Sequence, residues 1–397
     1  MIDEEFAWRL ACELVRIEST DPGSYEDAIE KRLKQLICER AAELPDDLAE
    51  AFELRELEVL PGRRDLMATL RGREEGPALV YSCHMDTVTI GEGWSEETPA
   101  LEGRIVGDRL YGRGACDMKS GLACAVTAFF EVLNRAAATG ELPRRTMSLL
   151  FSVDEEDFMR GVEAAIGAGW VGGEDWVLDT EPTDGQVQVA HKGRTWFEVE
   201  VRGVTAHASQ PWKGADAVAA MAEVIHEIRL WGEGLPTHDE LGCSTVTFGQ
   251  VEGGYQPYVV PDRAKLWIDM RLVPPASTAL AKAAVEDAIA AAEKRVPGVH
   301  GSYKVTGDRP PIERDPDSPL LAAVLAAAEE SGAPAEVGFF TGYTDTAVIA
   351  GTCANRNCMS YGPGSLALAH KPNEYVPRAD VVRVQRVLTR LALDQLF

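Results

Sequence analysis

The hydrophobic positions in the first 190 residues change repeatedly between helical spacing and short continuous runs. Helical spacing predicts helices over residues 4–17, 26–44 and 121–138. Continuous apolar runs over residues 77–83 and 146–153, bounded by turn-forming residues, predict buried strands. Because a helix separates consecutive strands, the pattern predicts a parallel sheet covered by helices on both faces.

The pattern changes at about residue 192. From there it predicts six elements in the order β-α-β-β-α-β, over residues 195–202, 215–231, 244–251, 264–272, 278–295 and 302–306. That order is typical of a ferredoxin-like α+β unit.

The earlier pattern returns after Pro310, with helices predicted over residues 319–330 and 379–396 and a strand over 335–339. The predicted fold class is therefore α/β. A discontinuous catalytic domain with a mostly parallel sheet comprises residues 1–191 and 308–397, and an inserted α+β domain comprises residues 192–307.

Charge and composition narrow the function classes. The chain has 64 acidic against 39 basic side chains, a net charge of −25, so we expect no nucleic-acid partner, since such partners need a cationic surface. The first ten residues are acidic, unlike a secretory signal, and the longest apolar stretch is too short for a membrane span. We therefore expect no membrane association and a cytoplasmic location. The eight cysteines form no C-x-x-C pair.

Side chains that ligate metals follow the predicted strands. Carboxyl ends of parallel strands meet at one edge of a sheet, where ligands bind. The candidates at this edge are His84, Asp86, Asp117, Glu155, Glu156, Asp179, Glu181 and His370.

Each of these residues alone has an ordinary structural explanation. An Asp before a helix is usually an N-cap, and an acidic run such as VDEED is usually solvated. The stretch GRGAC lacks the third glycine of a dinucleotide-binding motif. Together, however, two imidazoles and several carboxylates at one edge would repel unless a cation were bound. This ligand set suits Zn²⁺, or Co²⁺ and Mn²⁺.

Six motifs, found in family order, resemble those of the M20 metallopeptidases, which include acetylornithine deacetylase, succinyl-diaminopimelate desuccinylase and carboxypeptidase G. They are CHMDTV, GRGACDMKSG, VDEED, TEPT, VTAHAS and GPG…AHKPNEY. The resemblance implies two Zn²⁺ ions with Asp117 as the bridging ligand. His84 and Glu181 would complete one site, and Glu156 and His370 the other. Asp179 remains a rival to Glu181.

The resemblance also implies roles for residues that hold no metal. Asp86 would orient His84, the Asp117–Met118 peptide bond would be cis, and Glu155 would act as general base for attack by a metal-bound hydroxide. His207 of the inserted domain would stabilise the oxyanion in the partner subunit's site, which implies a homodimer.

Substrate contacts are implied at Arg271, through a substrate carboxylate, and at the loop with Gly342 and Thr344. One position departs from the family pattern, since Tyr258 stands where an Asn is usual.

The expected function is a dizinc amidohydrolase that removes an acyl group from an N-acyl amino acid, as an acetylornithine deacetylase does. The partner would be a small molecule with a free carboxylate. Two other enzymes share the implied site, namely a dipeptidase or carboxypeptidase and a succinyl-diaminopimelate desuccinylase. A catalytically silent binding protein on the same fold is the alternative from another class.

Overall fold

The computed structural model describes residues 5–397, which divide into two compact units. The first unit comprises the chain up to Val189 together with Arg314–Phe339 and Thr344–Phe397. The second comprises Ala190–Glu313 and Phe340–Tyr343.

The first stretch of the chain supplies five helices and ten strands. They are α1 (Phe6–Val15), β1 (Thr20–Asp21), α2 (Asp27–Ala41), α3 (Asp46–Ala49), β2 (Phe52–Leu60), β3 (Arg63–Leu70), β4 (Leu79–His84), β5 (Thr87–Val88), β6 (Arg104–Val106), β7 (Arg109–Tyr111), α4 (Lys119–Thr139), β8 (Met147–Ser152), α5 (Arg160–Gly167), β9 (Trp176–Pro182) and β10 (Val187–His191).

The middle and last stretches complete the two units. The middle stretch contains β11 (Gly193–Arg202), a 3₁₀ turn (Pro211–Lys213), α6 (Ala217–Glu233), β12 (Thr237–His238), β13 (Gly242–Cys243), β14 (Thr245–Gly253), β15 (Arg263–Leu272), α7 (Thr278–Arg295) and β16 (His300–Arg309). The last contains α8 (Pro319–Glu330), β17 (Val337–Phe340), α9 (Asp345–Cys353), β18 (Cys358–Gly362), β19 (Tyr375–Pro377) and α10 (Arg378–Leu396).

The first unit is built on an eight-stranded sheet with the order β17-β10-β18-β9-β4-β8-β3-β2. Its four central strands, β18, β9, β4 and β8, are parallel, which confirms the predicted parallel sheet at its centre. The sheet as a whole is mixed, because β10 pairs antiparallel with β18, and β3 pairs antiparallel with both β8 and β2. The strands β2 and β3 had not been predicted, although the sequence of β2, FELRELEVL, alternates polar and apolar residues.

Helices cover both faces of this sheet. Gly121 of α4 lies against Thr180 of β9, whereas the neighbouring Asp179 is hydrogen-bonded to Thr346 of α9. Because successive strand residues point to opposite faces, α4 and α9 lie on opposite sides of the sheet.

The helix α4 is long and apolar enough to cross a membrane by length and composition alone. In the folded chain, 72% of its most apolar window is buried, and buried core helices meet the same criterion.

The second unit has the predicted order β-α-β-β-α-β in its main elements, β11, α6, β14, β15, α7 and β16. Its antiparallel sheet has the order β14-β15-β11-β16. Asp216 caps α6, because its side chain accepts hydrogen bonds from the N–H groups of Val218 and Ala219. Ser277 caps α7.

Substitutions at two glycines, one at the close contact between α4 and β9 and one away from it, test that contact. A Cβ on Gly121 would lie 2.1 Å from the backbone oxygen of Thr180, whereas a Cβ on Gly167, at the end of α5, would meet no atom within 4 Å. We expect Gly121→Ala to lower the free energy of unfolding by about 1–3 kcal/mol, because neither backbone can yield. Gly167→Ala should leave it unchanged or raise it by about 0.5 kcal/mol. Denaturant titration of both variants measures the difference, and equal effects would contradict the assigned packing.

Candidate metal centre

Three neighbouring strands carry the candidate ligands to one edge of the central sheet. His84 is the last residue of β4, Glu155 and Glu156 follow β8, and Glu181 lies near the end of β9. Asp117 immediately precedes Met118, the N-cap of α4. These strands lie side by side in the order β9-β4-β8, so their carboxyl ends bring together residues up to about 100 positions apart in the chain.

Asp117 lies between two imidazoles. Its Oδ1 is 3.2 Å from Nε2 of His84, and its Oδ2 is 3.4 Å from Nε2 of His370. Each carboxylate oxygen therefore faces a different histidine, which is the arrangement that a ligand shared by two cations needs. The peptide bond from Asp117 to Met118 is cis, as the resemblance implied.

The other carboxylates contact these two histidines. Nε2 of His84 lies 3.6 Å from Oε1 of Glu181 and 4.0 Å from Oε2 of Glu155. Nε2 of His370 lies 2.9 Å from Oε2 of Glu156. Two overlapping sets offer ligand atoms within 4.8 Å of one another, namely His84, Asp117 and Glu156, and His84, Glu155 and Glu181.

The orientation of His84 suits a metal ligand. Its Nδ1 is 2.9 Å from the backbone oxygen of Asp86, an atom that can only accept a hydrogen bond. Nδ1 therefore donates to that oxygen, and Nε2, which faces the carboxylate cluster, is the nitrogen that would bind a metal ion.

Burial makes the charge of this cluster costly. Desolvation raises the pKa of Glu181 well above its usual range, and the Asp117 carboxylate adds to the rise. Desolvation likewise raises the pKa of Glu155, although the charge of His84 opposes it. For Asp117, hydrogen bonds from His370 and His84 outweigh burial and lower the pKa. Divalent cations would relieve the repulsion that these carboxylates exert on one another, so the donor set fits two such ions.

Asp86 is fully buried and holds the two glutamates through their backbone. Its Oδ1 accepts the N–H of Glu155 at 3.2 Å, and its Oδ2 accepts the N–H of Glu156 at 3.0 Å. Burial tends to raise the pKa of Asp86, but the hydrogen bonds with His84 and these amides lower it overall. Asp86 thus orients His84 through its backbone oxygen and the glutamates through its carboxylate.

Only two of the four acids in the run Asp154–Asp157 face the histidines. The Asp154 carboxylate accepts hydrogen bonds from Arg160 and from Arg63, and Asp157 is exposed. Asp154 and Asp157 are therefore not directed at the candidate metal ligands, since Asp154 pairs with arginines and Asp157 faces solvent.

Asp179, the rival ligand, is directed elsewhere. Its Oδ2 accepts a hydrogen bond of 2.6 Å from the hydroxyl of Thr346.

The two residues of the predicted substrate loop belong to different units. The Thr344 hydroxyl is buried in the first unit, 2.9 Å from the Thr346 hydroxyl. Gly342 belongs to the second unit.

The remaining predicted site residues lie in the second unit. His207 is exposed, with its Nδ1 2.8 Å from the Ser209 hydroxyl. The guanidinium of Arg271 donates two hydrogen bonds, of 2.8 and 3.0 Å, to Asp269. Tyr258 is 58% exposed.

One supporting carboxylate was missed by the sequence analysis. Glu374 is buried, and its Oε1 accepts the N–H groups of Cys116 and Asp117 at 2.8 and 3.1 Å. Burial raises its pKa to about 7, with the neighbouring Arg113 opposing the rise. The motif AHKPNEY contains Glu374, but its position four residues after His370 does not indicate a contact with the Asp117 backbone.

Comparison with known proteins gives the family. The sequence model described as peptidase family M20/M25/M40 matches residues 80–394. A peptidase M20 domain-containing protein of Schizosaccharomyces pombe is 29% identical over 82% of this chain and 71% of its own length. An acetylornithine deacetylase of Myxococcus xanthus is 27% identical over 82% of each chain. A probable succinyl-diaminopimelate desuccinylase of Staphylococcus aureus is 26% identical over 76% of this chain and 79% of its own.

Solved structures share the fold. The aminopeptidase PepT of Bacillus cereus superposes with a TM-score of 0.77 at 20% identity, over 98% of each chain. The YXEP protein of Bacillus subtilis, described as a dinuclear metal binding peptidase from the M20 family, gives a TM-score of 0.72 at 17% identity over 99% of each chain. Since the family match spans most of the sequence, this chain belongs to the metal-dependent peptidase family M20 and is a hydrolase of amide or peptide bonds.

Proposed function

We propose that this enzyme removes the acyl group from an N-acyl amino acid by hydrolysis, with two divalent ions, Zn²⁺ in the first instance, bound at the carboxylate cluster. The observation that carries the proposal is the position of Asp117, whose two oxygens face His84 and His370 separately. The deacetylase and desuccinylase among the relatives support this substrate class.

The ligand assignment follows the contacts. His84, Asp117 and Glu181 would hold one ion, and Asp117, Glu156 and His370 the other. Bound there, the ions would polarise the substrate carbonyl and lower the pKa of a water molecule.

Glu155 is the carboxylate left over for proton transfer. Its backbone N–H is held by Asp86, and its side chain approaches His84 no closer than 4.0 Å, farther than Asp117 or Glu181. As general base it would take a proton from the attacking water and then donate it to the leaving amine. Its 7% exposure keeps the proton from exchanging freely with bulk solvent.

Substrate binding and subunit assembly form the second part of the proposal. Arg271 would bind the free carboxylate of the substrate by two parallel hydrogen bonds, in exchange for its present partner Asp269. Gly342 and Thr344 would contact the substrate through their backbone. The enzyme would be a homodimer in which His207 of one subunit stabilises the oxyanion in the other, a role for which its exposure in the second unit leaves it free.

The ligand assignment predicts metal binding that depends on both histidines. We expect the purified protein, after dialysis against Zn²⁺, to retain two ions per chain by mass spectrometry of the metal. His84→Ala and His370→Ala should each reduce that content, because each removes a ligand. His300→Ala, at an exposed histidine of the second unit, is the control and should change nothing. Binding that survives the loss of both His84 and His370 would exclude this site.

The proposed reaction predicts which amides are cleaved. On a panel of N-acetyl and N-succinyl amino acids and dipeptides, the Zn²⁺- or Co²⁺-loaded enzyme should hydrolyse the N-acyl amino acids best. With the best substrate, Glu155→Gln should lower kcat by roughly 10³-fold and leave the metal content unchanged, because only the proton acceptor is lost. Asp157→Asn, in the same acidic run, is the matched control and should retain activity.

Other results on this panel would favour the alternatives. Preferential cleavage of dipeptides indicates a dipeptidase or carboxypeptidase. The absence of turnover of every compound would leave a binding protein on the same fold and overturn the proposed reaction.

The assignment of His207 predicts that assembly and activity are linked. Sedimentation velocity should show a dimer, and His207→Ala should lower kcat by about 10²-fold or more without dissociating it, since an oxyanion donor is lost. Lys213→Ala, at a nearby exposed cation, is the control. A fully active monomer would refute this role.

A further inference from the structure

Four consecutive backbone N–H groups, those of residues 153–156 just after β8, each donate a hydrogen bond to a carboxyl oxygen. Asp65 Oδ1 accepts the N–H of Val153 at 3.0 Å, and Glu26 Oε1 accepts that of Asp154 at 3.2 Å. The next two amides, of Glu155 and Glu156, are accepted by Asp86. We call the three acceptors Glu26, Asp65 and Asp86 the carboxylate cradle.

All three members of the carboxylate cradle are buried, with exposed fractions of 1%, 0% and 0%. They come from separate parts of the first unit, since Glu26 precedes α2, Asp65 lies in β3 and Asp86 follows β4. A carboxyl oxygen can accept a hydrogen bond from a backbone amide, and an unpaired buried amide is costly. The four amides are therefore held at fixed points by three acceptors from separate parts of the chain.

Arg63 offsets the charge of the carboxylate cradle. Its guanidinium is bonded to both oxygens of Glu26, to Asp21 at 2.6 Å and, more weakly, to Asp154 at 3.5 Å. The oxygens of Asp21, Glu26 and Asp86 also lie close enough together to hold a metal ion. The guanidinium already supplies positive charge to Asp21 and Glu26, so we assign no third metal site to this group.

The backbone held in this way has an unusual conformation. Asp154 has φ +67°, in the left-handed region that non-glycine residues rarely adopt. At this turn the Asp154 side chain points to Arg63 and Arg160, whereas Glu155 and Glu156 point to the histidines. A left-handed residue at this point needs surrounding contacts to hold it, and the carboxylate cradle provides them.

We propose that Glu26, Arg63 and Asp65 are positioning residues that hold the backbone of Val153 and Asp154, immediately before Glu155, and so direct the Glu155 carboxylate at the reacting water. Within residues 5–397, their side-chain hydrogen bonds go to this backbone and to neighbouring acids, not to the side chain of a candidate metal ligand. The expected effect on catalysis rests on the proposed function of Glu155, whereas the support of the backbone does not depend on that function. All three residues precede position 80, where the family match begins.

The Asp65 acceptor can be removed or retained by choice of substitution. Asp65→Ala deletes the acceptor of the Val153 amide, whereas Asp65→Asn keeps a side-chain oxygen in its place. The matched control is Asp175→Ala, because Asp175 also accepts hydrogen bonds from two backbone amides, those of Ala78 and Gly172. These amides precede β4 and β9, away from the carboxyl ends of the strands.

Two measurements separate positioning from general stability. Amide hydrogen exchange of a peptide covering residues 151–158 should lose protection in Asp65→Ala and keep it in Asp65→Asn and Asp175→Ala. With saturating metal, kcat should fall by about 10–100-fold in Asp65→Ala with KM unchanged. Asp65→Asn should recover most of the loss, and Asp175→Ala should retain wild-type kcat even if its unfolding temperature falls as far.

A second variant keeps the test decisive if Asp65→Ala does not fold. Glu26→Asp retains the charge opposite Arg63 but withdraws the acceptor from the Asp154 amide, so it should give the same loss of protection and of kcat.

If folded variants show unchanged amide exchange, the carboxylate cradle does not hold the loop. If protection is lost but kcat is unchanged, the carboxylate cradle does not position Glu155. If the wild-type enzyme hydrolyses no substrate on the panel, the proposed reaction fails, while the exchange measurement still decides whether the carboxylate cradle holds the loop.

Discussion

The crowding of buried carboxylates around two imidazoles is the constraint on which the rest of the first unit depends. Asp117, Glu155 and Glu181 lie within about 4 Å of His84, in surroundings that raise the pKa of both glutamates. Such a cluster is stable when cations occupy it or when its members take up protons. Because this family of peptidases depends on metal ions, the binding of cations explains why acids are concentrated at this edge of the sheet.

The carboxylates behind the site are paired with backbone amides and with arginines. Asp86 and Glu374 accept backbone amides of the residues that face the histidines, and Arg63 and Arg113 neutralise the acids that would otherwise remain unpaired. These supporting contacts fix the directions of the side chains that face the histidines. Proton transfer and metal binding both require side chains fixed in this way. In the run Asp154–Asp157, the two glutamates accordingly face the histidines, whereas the two aspartates lie near Arg160.

The central strands and most helices were predictable because they bury continuous apolar runs or one apolar face. β4, β8 and α4 have that pattern, and so do α6, α7 and α10. The antiparallel strands β2 and β3 were missed, although β2 alternates clearly. The helices α5 and α9 were also missed, since they have only 8 and 9 residues and show too few turns for a period to emerge.

The sequence by itself determined the alternating α/β pattern, the second unit's order of elements and the identity of the residues that converge at the sheet edge. It could do so because periodicity is local and because the carboxyl ends of parallel strands meet. Only the tertiary structure decided that Glu181 and not Asp179 faces His84, that Asp154 turns towards arginines, and that Glu26, Asp65 and Glu374 hold the backbone beneath the site. Those contacts join residues as many as 258 positions apart, and no local pattern specifies which buried acid meets which amide.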